Sequence, residues 1–246
     1  MCARMNATCT QKRKDELARN LDAVKRRMAK ACEAAGRKVE DVLLVAVSKF
    51  HPACDVAALA ALGQRHFGES YVQEALAKQA ELSGEDVLWH FVGGLQTKKA
   101  RQVAGHFVLV HSVDSVKLAR ELAKRAREAG VLQSVLIEVN MGEEQKAGIP
   151  EEGLDELARE VLALNQGGLG LDLKGLMCLP PVFDSPEEAG PAFEYLRELR
   201  DGLAERLGVA LPHLSMGMTG DFEAAIAEGA TIIRVGTSIF GPRPAR

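Results

Sequence analysis

From about Lys14 the apolar positions recur at steps of three and four: Leu17, Leu21, Val24, Met28 and Cys32, with lysine and arginine between them. That spacing predicts an amphipathic helix with one buried face. After "EAAGRKVED" the pattern changes. "VLLVAVSK" (Val42–Lys49) is a continuous apolar run that ends on a charge, and Pro52 stops it three residues later. Such a run suits a parallel strand covered on both faces. A helical stretch, "DVAALAALG", follows, and Gly63 is placed to end it.

The alternation then repeats along the chain. "RHFGES" reads as a short strand and loop before the helix "YVQEALAKQAEL". "VLWHFVGG" is a strand before a helix near "TKKARQVAG". "FVLVHSV" is a strand, and Asp114 is the expected N-cap of "SVKLARELAKRAREAG". "SVLIEVNMG" precedes the helix "EEGLDELAREVLAL", and "LDLKGLMCLP" precedes the long helix "SPEEAGPAFEYLRELRDGLAERLG". "LPHLSMGMTG" is a short strand before "DFEAAIAEG", and "ATIIRVGTSIFG" is the last strand. These are eight strand-then-helix units, the last helix short or missing, and repeated βα alternation implies a parallel sheet. Eight units in about 200 residues fit a closed (β/α)8 TIM-type barrel with an extra N-terminal helix. A doubly wound open sheet usually has fewer strands, and no GxGxxG opens the first helix. With no fixed-period repeat and no low-complexity linker, residues 13–246 read as one domain. Residues 1–12 read as a disordered tail.

Composition narrows the function classes. The net charge is −3, with acids and bases interspersed, which points to neither nucleic acid nor an anionic membrane as partner. No segment is long and apolar enough to cross a bilayer, and "MCARMNATCTQKRK" has no apolar core of the kind a secretory signal needs. Five cysteines (Cys2, Cys9, Cys32, Cys54, Cys178) form no CxxC pair, so neither a disulfide framework nor a metal site is expected, and a reducing cytoplasm is.

In such a barrel the chemistry sits at the C-terminal ends of the strands. The residues there are Lys49; Glu69 and Ser70; Gly93, Gly94 and Gln96; His111 and Ser112; Asn140; Met177; Ser215 to Met218; and Arg234 to Ser238. "LSMGMTGDFEAAI" places a serine and a glycine ahead of a helix after strand seven, and "RVGTS" places a Gly-Thr-Ser turn after strand eight. Barrels commonly build a phosphate site from these two loops, where backbone N–H groups and small hydroxyls surround the anion. Desolvation at a barrel mouth favours the neutral amine of a lysine, and a neutral amine attacks an aldehyde to form a Schiff base. A phosphate-bearing aldehyde held by strands seven and eight and bonded to Lys49 on strand one describes pyridoxal phosphate. The alternative is that Lys49 reaches water or pairs with Glu69. Arg234 either closes the barrel through an ion pair or donates to the pyridine nitrogen. An arginine stays protonated, so it leaves that nitrogen unprotonated and the ring a weaker electron sink.

Taken together, "LLVAVSKFHP", "FGESYVQEA", "WHFVGGLQTKKAR", "HSVDSVKLA", "LIEVNMGEEQKAGI", "LKGLMCLPP" and "LSMGMTGDFEAAIAEGATIIRVGTSIFG" resemble the pyridoxal phosphate homeostasis proteins, from roughly Lys14 to Arg243. The barrel of that family is similar to the N-terminal domain of alanine racemases, the type III fold of pyridoxal phosphate enzymes. The resemblance implies that Lys49 carries the cofactor as an internal aldimine. It also implies that Ser215, Gly236 and Thr237 hold the phosphate, that Arg234 faces the pyridine nitrogen and that Met177 lies close to the ring. The chain departs from the family where Ser70 replaces a usual asparagine, where Gly94 replaces a usual histidine, and where "TKK" replaces "SNK". Ser70 is carried as a cofactor ligand with a shorter reach.

A racemase needs a proton-transfer group on each face of its substrate. In alanine racemases the second is a tyrosine from a C-terminal domain of the partner subunit, and this chain stops at "GPRPAR". Its tyrosines are Tyr71, at a helix start near the mouth, and Tyr195, read as packing on the barrel. No residue is therefore assigned a catalytic role. The expectation is a monomeric cytoplasmic carrier of pyridoxal 5'-phosphate, with pyridoxal phosphate-dependent apo-enzymes as acceptors. The alternatives are a low-efficiency amino-acid racemase and a cofactor-free Schiff-base aldolase on a phosphosugar.

Overall fold

The computed structural model describes residues 9–142, 147–181 and 186–242. Eight parallel strands close into a barrel in chain order: β1 (Leu43–Val47), β2 (His66–Glu69), β3 (Leu88–Phe91), β4 (Leu109–Val113), β5 (Leu132–Val139), β6 (Gly170–Cys178), β7 (His213–Ser215) and β8 (Ile232–Val235). Around them run α1 (Gln11–Ala34), α2 (Ala53–Ala60), α3 (Val72–Glu81), α4 (Ala100–Val103), α5 (Val116–Glu128), α6 (Glu151–Ala163), α7 (Gly190–Leu207), α8 (Phe222–Ala227) and α9 (Thr237–Phe240). The alternation read from the sequence is thus the fold, a TIM-type barrel. Among the described residues, no helix is long and apolar enough to cross a membrane.

Two apolar layers hold it together. Between sheet and helices lies a continuous core that includes Ala46, Phe67, Phe91, Val110, Ile137 and Leu176. Inside the barrel Val45, Leu109, Leu136, Met177 and Ile232 form a second, smaller cluster. Strand residues alternate between these layers because successive side chains point to opposite faces. One irregularity keeps the alternation in step. Val135 pairs with Leu173 but Leu136 with Gly175, so Lys174 is bulged out. Gly175 has φ of 150°, and a Cβ there would lie 1.9 Å from the carbonyl oxygen of His213, so no other residue fits.

The N-terminal helix buries Leu17, Leu21, Val24, Met28 and Cys32, the five residues that its spacing selects. Thr10 caps it, accepting from the Arg13 amide at 3.3 Å. Helix α1 therefore starts inside the segment read as a tail, while residues 1–8 lie outside the described ones. It packs on α2, α8 and α9, across the seam where β8 meets β1. The last unit ends in a four-residue helix, α9, the short last helix that the alternation allows. The Asn20 amide donates to the Ile239 carbonyl at 3.0 Å, and Arg13 donates to that of Phe240 at 2.8 Å. Helix α1 thereby supplies the cover that so short a helix cannot. Two smaller expectations also shift. The N-cap of α5 is Ser115, which accepts from the Leu118 amide, while Asp114 only accepts from the Ser115 hydroxyl. Tyr195 is 38% exposed, and its hydroxyl donates to Glu151 of α6 rather than to a strand of the barrel.

Candidate functional site

Lys49 lies two residues beyond β1, in the strand's lumen-facing parity of Leu43, Val45 and Val47. The backbone on both sides of it is gripped. The ammonium of Lys78 donates to the Ser48 carbonyl at 2.7 Å, to Glu69 Oε1 at 2.6 Å and to Glu74 Oε1 at 2.8 Å. Glu74 Oε1 also accepts the Phe50 amide at 2.6 Å, and Glu69 Oε1 accepts the Ser48 hydroxyl at 2.6 Å. Phe50 has φ of 69°, a left-handed conformation that costs free energy for a residue with a Cβ and persists only where the surroundings impose it. The buried Lys78–Glu69–Glu74 cluster is what imposes it. Burial raises the Glu69 pKa, opposed by Lys78. The ion-pair partner of Glu69 is therefore Lys78, not Lys49. Sequence reading missed Lys78 because a lysine on an amphipathic helix ordinarily faces solvent.

On the opposite side of the β1–β8 seam stands Arg234, paired in register with Val45. It is 4% exposed. Nη1 donates to Ser215 Oγ at 2.6 Å and Nη2 to the Cys178 carbonyl at 2.9 Å. Among the described residues no carboxylate lies within ion-pair distance of it, so a cation is buried against neutral acceptors alone. Burial lowers its pKa, and Cys178 and Glu138 oppose this. Register places Glu138, Met177 and Ser215 side by side on adjacent strands and facing the lumen. Glu138 is 2% exposed and its Oε2 has no hydrogen-bond partner. Burial pushes its pKa up to about 7 against the pull of Arg234.

The Gly-Thr turn follows β8. Gly236 lies beside Val47, where a Cβ would sit 3.3 Å from the Val47 carbonyl oxygen. Thr237 opens α9, and its amide is one of those that a helix start leaves without an internal partner. The Ser238 amide points to Thr219 Oγ1 at 3.4 Å. The hydroxyl brought to this turn from the β7 loop is thus Thr219, not Ser215. Ser215 is fully buried, and its hydroxyl is shared between Arg234 and His111. Ser70 is half-buried at the end of β2, held close to Gly93, where a Cβ would fall 2.5 Å from the Ser70 carbonyl oxygen. Gly94 is exposed, with nothing within 4 Å of a Cβ built there, so the histidine usual in the family would meet no obstacle.

One group of metal-type ligand atoms, Cys9, Cys54 and Asp55, meets between α1 and α2. Asp55 is already paired with Arg13 at 2.6 Å, and burial pushes the Cys9 thiol up to about 11. Protonated thiols beside an engaged carboxylate make a packing contact.

Comparison with known proteins decides the family. Residues 19–244 match the alanine racemase N-terminal domain family. A pyridoxal phosphate homeostasis protein of Aquifex aeolicus is 46% identical over 224 residues, covering 91% of this chain and 96% of that protein. The chain belongs to the pyridoxal phosphate homeostasis protein family. A member of known structure, PipY of Synechococcus elongatus PCC7942 with PLP bound, superposes with a TM-score of 0.77 at 39% identity, covering 87% of this chain and 100% of PipY. An alanine racemase of Clostridium difficile 630 superposes with a TM-score of 0.71 at 17% identity, over 94% of this chain and 58% of the racemase. At that identity the likeness to the racemase shows the fold alone.

Proposed function

We propose that this chain binds pyridoxal 5'-phosphate and serves its intracellular homeostasis, holding the cofactor on Lys49 without robust turnover. The observation that carries this reading is the β1–β8 neighbourhood. Ala46 pairs with Val235, so Lys49 beyond one strand and Gly236–Thr237 beyond the other rise from adjacent places on the rim. Arg234, buried without a carboxylate, supports the fit: it has a charge to offer a ring nitrogen. The close approach of Gly236 to Val47 supports a backbone cradle that a side chain would fill.

When bound, the cofactor supplies an aldehyde and an electron-withdrawing ring. Lys49 tethers it through its amine. The Gly236 and Thr237 amides and the Thr219 hydroxyl receive the phosphate. Arg234 donates toward the ring nitrogen, and Met177, fully buried, forms the floor under the ring. Ser70 stands at the rim as a lesser ligand. An arginine at the ring nitrogen leaves the ring a weak electron sink, which supports storage over turnover. So does Tyr71, whose ring packs on Phe50 at 5.2 Å, a structural role beside the lysine turn. Apo-enzymes dependent on pyridoxal phosphate are the acceptors in this reading, and the carrier works as a cytoplasmic monomer.

The test is the absorption spectrum. Purified protein with pyridoxal phosphate should show a visible-range band that Lys49→Ala abolishes. A band that survives the substitution removes Lys49 as anchor. No band in the wild type favours a cofactor-free aldolase, and rapid racemisation of L-alanine overturns the claim of weak turnover.

A further inference from the structure

Three histidines cross the barrel interior in a hydrogen-bonded row. His66 Nδ1 meets His90 Nε2 at 2.9 Å, His90 Nδ1 meets His111 Nε2 at 3.0 Å, and His111 Nδ1 meets Ser215 Oγ at 2.8 Å. Arg234 Nη1 completes the row at 2.6 Å from the same hydroxyl. The row climbs. His66 opens β2 in register with Leu88, two residues before His90; His90 is in register with Leu109, two residues before His111. It runs from the half-buried His66 at the barrel floor to the layer of Ser215 and Met177 under the mouth.

Its direction follows from donor counting. Burial pushes the His90 pKa down to about 3 and that of His111 well below the usual value, and both remain neutral at pH 7. A neutral imidazole has one donor and one acceptor nitrogen, while a guanidinium only donates. Ser215 Oγ therefore accepts from Arg234 and passes its own proton to His111 Nδ1. His111 then carries its proton on Nε2 and donates to His90, which carries its own on Nε2 and donates to His66 Nδ1. His66 Nε2–H is the outlet at the floor. In the opposite direction Arg234 and His111 would both donate to Ser215 Oγ, and the hydroxyl proton would need another acceptor in a fully buried place. Arg234 thus selects one polarity for the whole row.

We propose that His66, His90 and His111 are positioning residues: their one-directional row fixes the Ser215 hydroxyl as an acceptor and so aims Arg234 at the cofactor's ring nitrogen. The second half of this statement rests on the cofactor reading above; the first does not. The row stands where a carboxylate would otherwise hold the arginine. A neutral support orients the guanidinium without cancelling its charge.

Long-range 1H–15N spectra of histidine-labelled apo-protein at pH 7 should show His90 and His111 neutral and protonated on Nε2. A proton on Nδ1 of either, or a charged ring, overturns the row. In the full-length His90→Leu variant, His111 should lose its single tautomer. Bound pyridoxal phosphate should show a shifted band and about tenfold weaker retention, the size expected for losing one buried hydrogen bond to a charged group. A folded His90→Leu protein with unchanged band and affinity overturns the link to Arg234. Should His90→Leu not fold, His66→Leu cuts the row at its half-buried end, and His90 should then lose its single tautomer; an unaltered His90 overturns the proposal. A wild-type protein with no band at all overturns the cofactor reading and the second half of the inference, while the tautomer spectra still decide the row.

Discussion

Two basic residues of the barrel mouth, Lys49 and Arg234, are held by opposite means. Lys49 stands on a turn clamped by a buried ion cluster, in which one ammonium grips two carboxylates and a carbonyl. Arg234 rests on a hydroxyl, a carbonyl and a row of neutral imidazoles. The first arrangement spends its charges on each other and enforces a left-handed residue at Phe50. The second leaves the guanidinium charge uncancelled at hydrogen-bond range. A tether needs a fixed backbone; a group that acts on a ring needs a field. Each support matches what its cation has to do.

The comparison is broken most severely at Lys78. Lys78→Met leaves Glu69 and Glu74 without their cation, and removing one member of a buried ion cluster costs about 3–5 kcal/mol. Urea unfolding should show that loss, and the variant should also bind pyridoxal phosphate poorly, because the Ser48 carbonyl and the Phe50 amide lose their common clamp. If Lys78→Met is as stable as the wild type, the cluster does not hold the turn.

The neutral row predicts a pH response. The pKa values of His66, His90, His111 and His213 are all lowered, chiefly by burial. Unfolded histidines take up protons below their ordinary pKa of 6.5, and the folded row refuses them. Stability is thus fully present above pH 6.5 and is lost as pH falls toward about 3, the folded value for His90. The loss should amount to several kcal/mol. Thermal melts between pH 7 and pH 4 measure it, and His90→Leu should flatten the slope. Equal slopes in both proteins would mean that other groups govern acid unfolding.

The smallest effect concerns Glu138. Its folded pKa of about 7 lies above the ordinary carboxyl value of 4.5, so the folded state holds the extra proton between these values. Stability therefore falls as pH rises from 4.5 to 7 and stays reduced above. Glu138→Gln should raise stability at pH 8 by roughly 3 kcal/mol and change little at pH 4. A gain that is the same at both pH values would contradict a carboxyl that titrates under the influence of burial.

Much of this was legible in the sequence, and the exceptions have physical causes. Long apolar runs and the five-residue stripe of α1 specify elements through repetition, and they were read correctly. The bounds of the short last helix, α9, were not, because four residues make barely one turn and carry no period, and "SIF" is as apolar as the strand before it. Residues at strand ends, such as Lys49 and Arg234, are found by position. Lys78 is defined by contacts that bridge three elements, while Glu138 and the histidine row face residues far along the chain, and His111 and Ser215 are 104 residues apart. A single polar residue inside a strand does not announce what it meets across the lumen. Ser215 and Thr219 are hard to tell apart from sequence for a related reason: β7 has only three residues, and nothing local marks where it stops facing inward.

The seam covered by α1 bears on how the chain folds during synthesis. Arg13 and Phe240 are joined by a hydrogen bond that spans 227 residues, and β1 finds its second neighbour only in β8. Chains dominated by such distant pairings fold slowly, since the connecting loop must close before any contact rewards it. Emerging from the ribosome at about 5–20 residues per second, β1 spends its wait with one edge unpaired. Helix α1, which precedes β1 in the chain, packs on α2, α8 and α9, so its own cover is complete only once β8 has arrived.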